Sequence, residues 1–320
     1  MRDAFAKEIT ELAGKDPRLV LLMGDIGNHL FDRYKELYPE RFYNCGVAEA
    51  NMIGVAAGLA ASGFRPVCYT ITPFATTRCL EQIRVDLCYH RVPAIVVGTG
   101  SGLSYASLGA THHSCEDIAM LRVLPGMTVL CPGDSLEVRA CLRVAVQESG
   151  PVYMRIGKKG EPVVHKQVPD VVIGKCIVVK KGSLVCLLNS GHTLPLALEA
   201  AARLESLEIS TEVASFHTVK PLDQDYLRRA FAGFQVVATV EEHSILGGLG
   251  GSVAEWLSEQ ENVKARFMRF GTPDEFVHTA GDQAYARNSF GLTSDNIASK
   301  IAVKVGQSAQ KPSGKLSAAS

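Results

Sequence analysis

The chain has 320 residues, 47% of them hydrophobic and 21% charged, with 33 basic side chains against 33 acidic ones. That length suits about two domains, and so even a charge balance leaves no electrostatic footprint for nucleic acid or an anionic membrane surface. No apolar run reaches the roughly 18 residues that a membrane span requires, so both kinds of partner are excluded.

The opening "MRDAFAKEITELAGKD" carries acidic residues at helical spacing, unlike a secretory signal. Short apolar runs then alternate with helix-length amphipathic segments, the pattern of a mostly parallel sheet covered by helices. In the first half the predicted strands are "RLVLLMGD", "FYNC", "PVCYTI", "AIVVGT", "MTVLC" and "PVYMRI", with helices over 49–62, 73–89, 115–121 and 135–147. "GKKGEPVVHKQVPDVVIGKC", rich in glycine, proline and lysine, interrupts this rhythm as a linker. A smaller alternation follows: "SLVCLL", "STEVASF", "QVVATVEE" and "KARFMRF" as strands, with helices over 195–204, 224–231, 252–260 and 294–305. The closing "GQSAQKPSGKLSAAS" has too few large apolar groups to order itself. The prediction is an α/β protein of two three-layer α/β/α domains with mostly parallel sheets, at 1–160 and 183–306, a linker at 161–182 and a disordered tail at 307–320. Nine cysteines without a C-x-x-C pair read as reduced, mostly buried thiols of a cytoplasmic protein rather than a disulfide frame or zinc site.

The stretch "FYNCGVAEANMIGVAAGLAASG" places one carboxylate, Glu49, at the mouth of a greasy helix. Unpaired N–H groups and the helix dipole there favour a negative charge for purely structural reasons. The same position lies at the carboxyl edge of a parallel sheet, where open α/β folds bind ligands, and desolvation there would raise a carboxylate's proton affinity. Phe74 in "TPFATT" is either core or a ring platform, and Asp25 in "GDIGNH" is either a turn residue or a cap. In "THHSCEDI", Ser114 and Asp117 have capping-box spacing, while the adjacent pair His112 and His113 lacks the spacing of helical metal ligands. "GGLGGS" follows a strand and opens a helix, as an anion cradle or as close helix packing. "GTGSGL" fails the dinucleotide pattern because Leu103 takes its last glycine position. Arg155 and Lys159 read as surface charges.

The segments "GVAEANMIGVAAGLAASG", "PFATTRCLEQIRVDLCYH", "GATHHSCEDIAMLRVLPGMTVLCPGD", "EVASFHTVKPLD" and "VEEHSILGGLGGSVAEW" together resemble the pyrimidine-binding and C-terminal domains of transketolase. The resemblance implies thiamine diphosphate as cofactor, with Glu49 hydrogen-bonding its aminopyrimidine and driving the imino tautomer that deprotonates the thiazolium carbon. It also implies Phe74 packed on that ring, Ile26 and Ile71 lining the same wall, Asp25 close by, and His112 contacting the donor sugar and stabilising its alkoxide. At the sugar-phosphate end it matches Arg2, with Lys158 near a second expected basic residue and His29 in place of a serine. Gly100 falls where the family has a phosphate-binding histidine, and Leu108 replaces a substrate-contacting aspartate.

The family holds the diphosphate through magnesium with a motif that begins G-D-G and ends some thirty residues later in asparagine; "GDIG", "GDSL" and "GDQA" do not provide it. The resemblance therefore implies the C-terminal subunit of a split transketolase. A separate N-terminal subunit would bind the diphosphate and Mg (or Ca), and a homodimer of this chain would sit within a heterotetramer. The implied activity is two-carbon ketol transfer from a ketose to an aldose, with phosphate, sulfonate and carboxylate all open as the acceptor anion. Alternatives are the beta subunit of a 2-oxo-acid or acetoin dehydrogenase, a non-catalytic regulatory subunit, or a relative of deoxyxylulose-phosphate synthase.

Overall fold

β1 (Leu19–Met23) is buried at all five positions, as a parallel strand covered on both faces must be. Its side chains alternate between two cores. Leu19, Leu21 and Met23 join Phe5 and Ile9 of α1 (Arg2–Ala13), whereas Val20 and Leu22 join Met52, Ile53 and Ala56 of α3 (Glu49–Ala61). A helix is thus fixed on each side of the strand. The computed structural model that shows this describes residues 1–309 except 28, 262, 279 and 280.

The first half continues with α2 (Asp32–Leu37), β2 (Phe42–Asn44), β3 (Arg65–Ile71), α4 (Thr72–Ala75), α5 (Leu80–Gln82), β4 (Ile95–Thr99), α6 (Asp117–Arg122), β5 (Thr128–Leu130), α7 (Ser135–Ala145) and β6 (Val152–Ile156). The second half holds β7 (Ile177–Lys180), β8 (Val185–Ser190), α8 (Leu194–Glu205), β9 (Thr211–Ser215), β10 (Thr218–Lys220), α9 (Gln224–Gly233), β11 (Val236–Ser244), α10 (Leu249–Ser258), β12 (Arg266–Thr272), α11 (Gln283–Ser289) and α12 (Ser294–Ala309). Two sheets result, in the orders β10-β5-β6-β4-β3-β1-β2 and β12-β11-β8-β9-β7. Both are parallel except for one antiparallel edge strand each, β10 and β7. The expected α/β architecture of two mostly parallel sheets is what forms.

Several elements differ from the sequence reading. β7 lies inside the stretch read as a linker, and β10 leaves the second half to pair with β5 of the first sheet. The helix expected over 73–89 is broken into α4, a 3₁₀ turn at Thr77–Cys79, α5 and a π-helical stretch at Ile83–Tyr89. Side chains take over carbonyls at the break: the Thr76 hydroxyl donates to the Thr72 carbonyl at 2.7 Å, and the Cys79 thiol to that of Phe74 at 3.1 Å. α12 runs past the point where the tail was expected to begin, and residues 310–320 of that tail lie outside the described residues. All nine cysteines are free, and among the described residues no helix is long and apolar enough to cross a membrane.

Two charged residues also depart from their sequence reading. Arg155 is no surface charge; it is 1% exposed in the middle of β6. Its Nε donates to Asp117 Oδ2 at 2.8 Å, and its Nη2 donates to the carbonyls of Ser114 at 3.0 Å and Glu242 at 2.8 Å. Ser114 and Asp117 form no capping box, because α6 starts at Asp117 with Glu116 as N-cap and no side-chain cap. The Asp117 carboxylate turns inward to Arg155 and the Tyr153 hydroxyl instead. A cap contributes about 1 kcal/mol, less than the several kcal/mol that an unpaired buried guanidinium would cost. Arg155, opposed by burial, holds the Asp117 carboxyl below the usual range.

Candidate active site

The carboxyl edge of the first sheet gathers most of the predicted residues. Glu49 is the first residue of α3 and is almost wholly buried. The preceding turn is held by a relay: the Asn44 amide donates to Asp25 Oδ1 at 2.9 Å, and the Gly46 N–H donates to Asn44 Oδ1 at 2.9 Å. Gly46 has φ +68°, and at Gly24 a Cβ would lie 3.2 Å from Glu49 Cγ. These glycines let the turn close and the end of β1 approach the acid. Asp25 itself is exposed, so its contact with Glu49 runs through the turn.

Glu49 is not the isolated acid of an apolar wall that the sequence suggested. Arg78 Nη1 donates to its Oε2 at 2.7 Å, and the same guanidinium lies 4.2 Å from the Phe74 ring centroid. The pair compensates a charge that would be costly to bury alone. From Phe74 an aromatic chain continues outward, with the His112 ring 5.3 Å away and the Tyr105 ring 6.0 Å beyond His112. Burial, and then the neighbouring His113, lowers the pKa of His112 and favours its neutral ring at neutral pH. Thr111 Oγ1 is 2.9 Å from its Nδ1. His113 is buried instead, with Nε2 3.3 Å from the Ala106 carbonyl. Ile71 is half-buried as the N-cap of α4, and half-buried Ile26 packs on the α1 side of the sheet.

A second group surrounds a cleft of about 330 Å³ lined by Arg2, Asp3, His29, Leu30, Lys158 and Lys159. The structure therefore brings Arg2, His29 and Lys158 together, and it adds Lys159, which the sequence presents as a plain surface charge. Arg2 Nε donates to the Tyr69 hydroxyl at 3.2 Å, and His29 Nδ1 sits 2.9 Å from Asp32 Oδ2. Lys158 Nζ stands 4.4 Å over the Tyr105 ring, which joins this cleft to the aromatic chain from Glu49. A Cβ on Gly100, at φ +73°, would fall 1.9 Å from Tyr105, so Tyr105 fills the space in which the family histidine was expected. Leu108 lies half-exposed on the 3₁₀ turn Ala106–Leu108.

Arg78, like Lys159, is a residue that sequence reasoning missed. Its signal was spacing, since it follows Phe74 by four residues, about one helical turn. The glycine cluster before α10 holds no open cradle, because Glu241 accepts from the N–H groups of Leu249 and Gly250, each at 2.7 Å. Burial pushes the Glu241 carboxyl up to about 7 against those two bonds. Among the described residues no group of three or more His, Cys, Asp or Glu side chains is arranged to hold a metal ion.

A mostly parallel sheet with a buried acid, an aromatic and a histidine loop at its carboxyl edge, joined to a second mostly parallel sheet, makes this an α/β protein with a candidate site at the edge of its first sheet. Residues 1–161 match the family described as transketolase, pyrimidine binding domain, and 174–297 match transketolase, C-terminal domain. The chain belongs to the transketolase family. It is 36% identical over 298 residues to the 6-deoxy-6-sulfo-D-fructose transketolase subunit SqwH of Clostridium sp. (strain MSTE9), covering 93% of this chain and 92% of the relative. It is 36% identical over 300 residues to an apulose-4-phosphate transketolase subunit of Phocaeicola vulgatus, covering 92% and 94%. A solved split gene transketolase, described as an inactive beta4 tetramer, superposes with a TM-score of 0.87 at 34% identity, covering 95% of this chain and 98% of that one. The chain is thus one subunit of a transketolase-type transferase, the one that carries the pyrimidine-binding and C-terminal domains, in a family that depends on thiamine diphosphate.

Proposed function

We propose that this chain supplies the ring-binding half of a split transketolase that moves a two-carbon ketol unit from a ketose to an aldose in cytoplasmic carbohydrate metabolism. A separate N-terminal subunit would grip the diphosphate and its Mg (or Ca), in a heterotetramer with two copies of each chain. The observation that carries this reading is a buried carboxylate, Glu49, beside a half-buried aromatic face, Phe74, with the Arg78 guanidinium lying across both. That donor set fits an aminopyrimidine, which needs in-plane hydrogen bonding to a carboxyl group and stacking on an aromatic.

Thiamine diphosphate supplies, when bound, the carbon nucleophile that accepts the ketol unit. Within the domain read as 1–160, Glu49 would hold and return the ring proton at its carboxylate, Phe74 would fix the ring plane, and Ile26 and Ile71 would exclude water from it. Asp25 would keep the turn before Glu49 in place through Asn44. Neutral His112 would donate a hydrogen bond to the oxygen that gains charge on the donor sugar. Arg2, His29, Lys158 and Lys159 would hold an anionic group at the far end of the sugar, and two relatives are named for a phosphate and a sulfo sugar.

To test this, the chain is co-purified with its N-terminal subunit, supplied with thiamine diphosphate and magnesium, and assayed for aldehyde-dependent ketol transfer and for pyruvate decarboxylation. Ketol transfer that disappears in Glu49→Gln is the expected result. Full activity in that variant, or pyruvate decarboxylation alone, would remove the assignment.

A further inference from the structure

Both residues expected to receive the cofactor ring are engaged by one side chain. Arg78 Nη1 donates to Glu49 Oε2 at 2.7 Å, while the guanidinium lies 4.2 Å from the Phe74 centroid, inside the roughly 6 Å range of cation–π attraction. A guanidinium is flat, stacks on aromatic faces and donates hydrogen bonds within its plane. An aminopyrimidine makes the same two kinds of contact. The two cannot occupy one place.

The partners differ in how easily they leave. The Arg78 side chain is 44% exposed and that of Glu49 only 4%. Arg78 also borders a cleft of about 530 Å³ whose wall includes Thr77, Thr111, Glu116 and Phe276, with Glu116 as a second acid on its surface. The guanidinium therefore has solvent and room to move into, whereas Glu49 is fixed at the start of α3. Arg78 sits beside the break between the 3₁₀ turn and α5, where the backbone is already irregular.

We propose that Arg78 is a positioning residue that stands in for the aminopyrimidine until the cofactor arrives: it keeps Glu49 paired and Phe74 covered, and it must swing away for the ring to load. This rests on the ring-site reading given above. Its consequence is an opening step before binding. If the open form makes up about 0.1–10% of molecules, apparent cofactor affinity falls about 10- to 1000-fold below that of the open site.

The test measures thiamine diphosphate binding by the assembled complex, by equilibrium dialysis and by stopped-flow protein fluorescence. Arg78→Ala should tighten the apparent Kd by about tenfold or more and abolish the opening phase. Arg78→Lys keeps a charge for Glu49 but cannot lie flat on Phe74, and should fall between the two. In the full chain alone, denaturant unfolding should show coupling between Arg78→Ala and Glu49→Gln, the double variant being more stable than the two single losses predict. Arg78→Ala binding the cofactor equally or more weakly, or an absence of coupling, overturns the stand-in role. A wild-type complex that binds no cofactor overturns the ring-site reading first, and this inference with it.

Discussion

Glu49 opens α3 at the edge of the first sheet, and Glu241 faces the start of α10 at the edge of the second; both carboxylates are buried. Glu241 commits its two oxygens to backbone N–H groups of Leu249 and Gly250, and a Cβ on Gly248 would come within 2.2 Å of its Oε2. No ligand can replace those donors without unwinding the helix. Glu49 is paired with a half-exposed side chain from another element, and that partner can be exchanged. Burial is common to both acids; what separates a site from a structural plug is whether the counter-charge belongs to the backbone or to something that can leave.

The contrast is broken most severely at Glu49. Glu49→Gln keeps the shape but removes the titrating proton, and should lower ketol transfer by about 10²- to 10⁴-fold with assembly unchanged by size-exclusion chromatography. Glu241→Gln should leave catalysis alone and act on stability. A carboxyl raised to about 7 when folded stabilises the fold fully below its unfolded value near 4.5 and loses that contribution as pH rises through 7. Relative to Glu241→Gln, the wild type should therefore lose about 3 kcal/mol of unfolding free energy between pH 4.5 and 7, followed by urea titration at each pH. A parallel pH dependence in the two proteins would contradict the assignment.

Smaller effects sharpen the arc that leads away from Glu49. His112→Asn should cost about 100-fold in kcat/KM for the donor sugar while cofactor binding by dialysis stays unchanged. Lys159→Ala should raise KM for an anionic acceptor about fivefold and leave a neutral acceptor unaffected, as steady-state assays with the two acceptor types would show.

Much of the fold was legible because buried parallel strands announce themselves: "LVLLM" is apolar throughout, "VCYTI" and "IVVGT" are interrupted by one threonine each, and all three lie in strands. β10 was not legible, since Thr218–Lys220 becomes a strand only by pairing with β5, a partner far away in sequence. Arg155 was illegible for a related reason. A charge inside an apolar run looks like a surface residue until Asp117 is brought to it from a helix 38 residues away. At the site, the family resemblance rather than local pattern pointed to Glu49, Phe74 and His112, and a ring contact joins the last two. Nothing local distinguishes Lys159 from an ordinary exposed lysine; only the position of Arg2 opposite makes it part of a cleft.

The central claim is that this chain holds the ring end of a thiamine cofactor whose diphosphate is gripped by another polypeptide. Calorimetric titration of thiamine diphosphate with magnesium, into the chain alone and then into its complex with the N-terminal subunit, tests it most directly. Saturable binding in the complex alone, at one cofactor per copy of this chain, is the predicted result. Tight binding by the chain alone, or none by the complex, would contradict it.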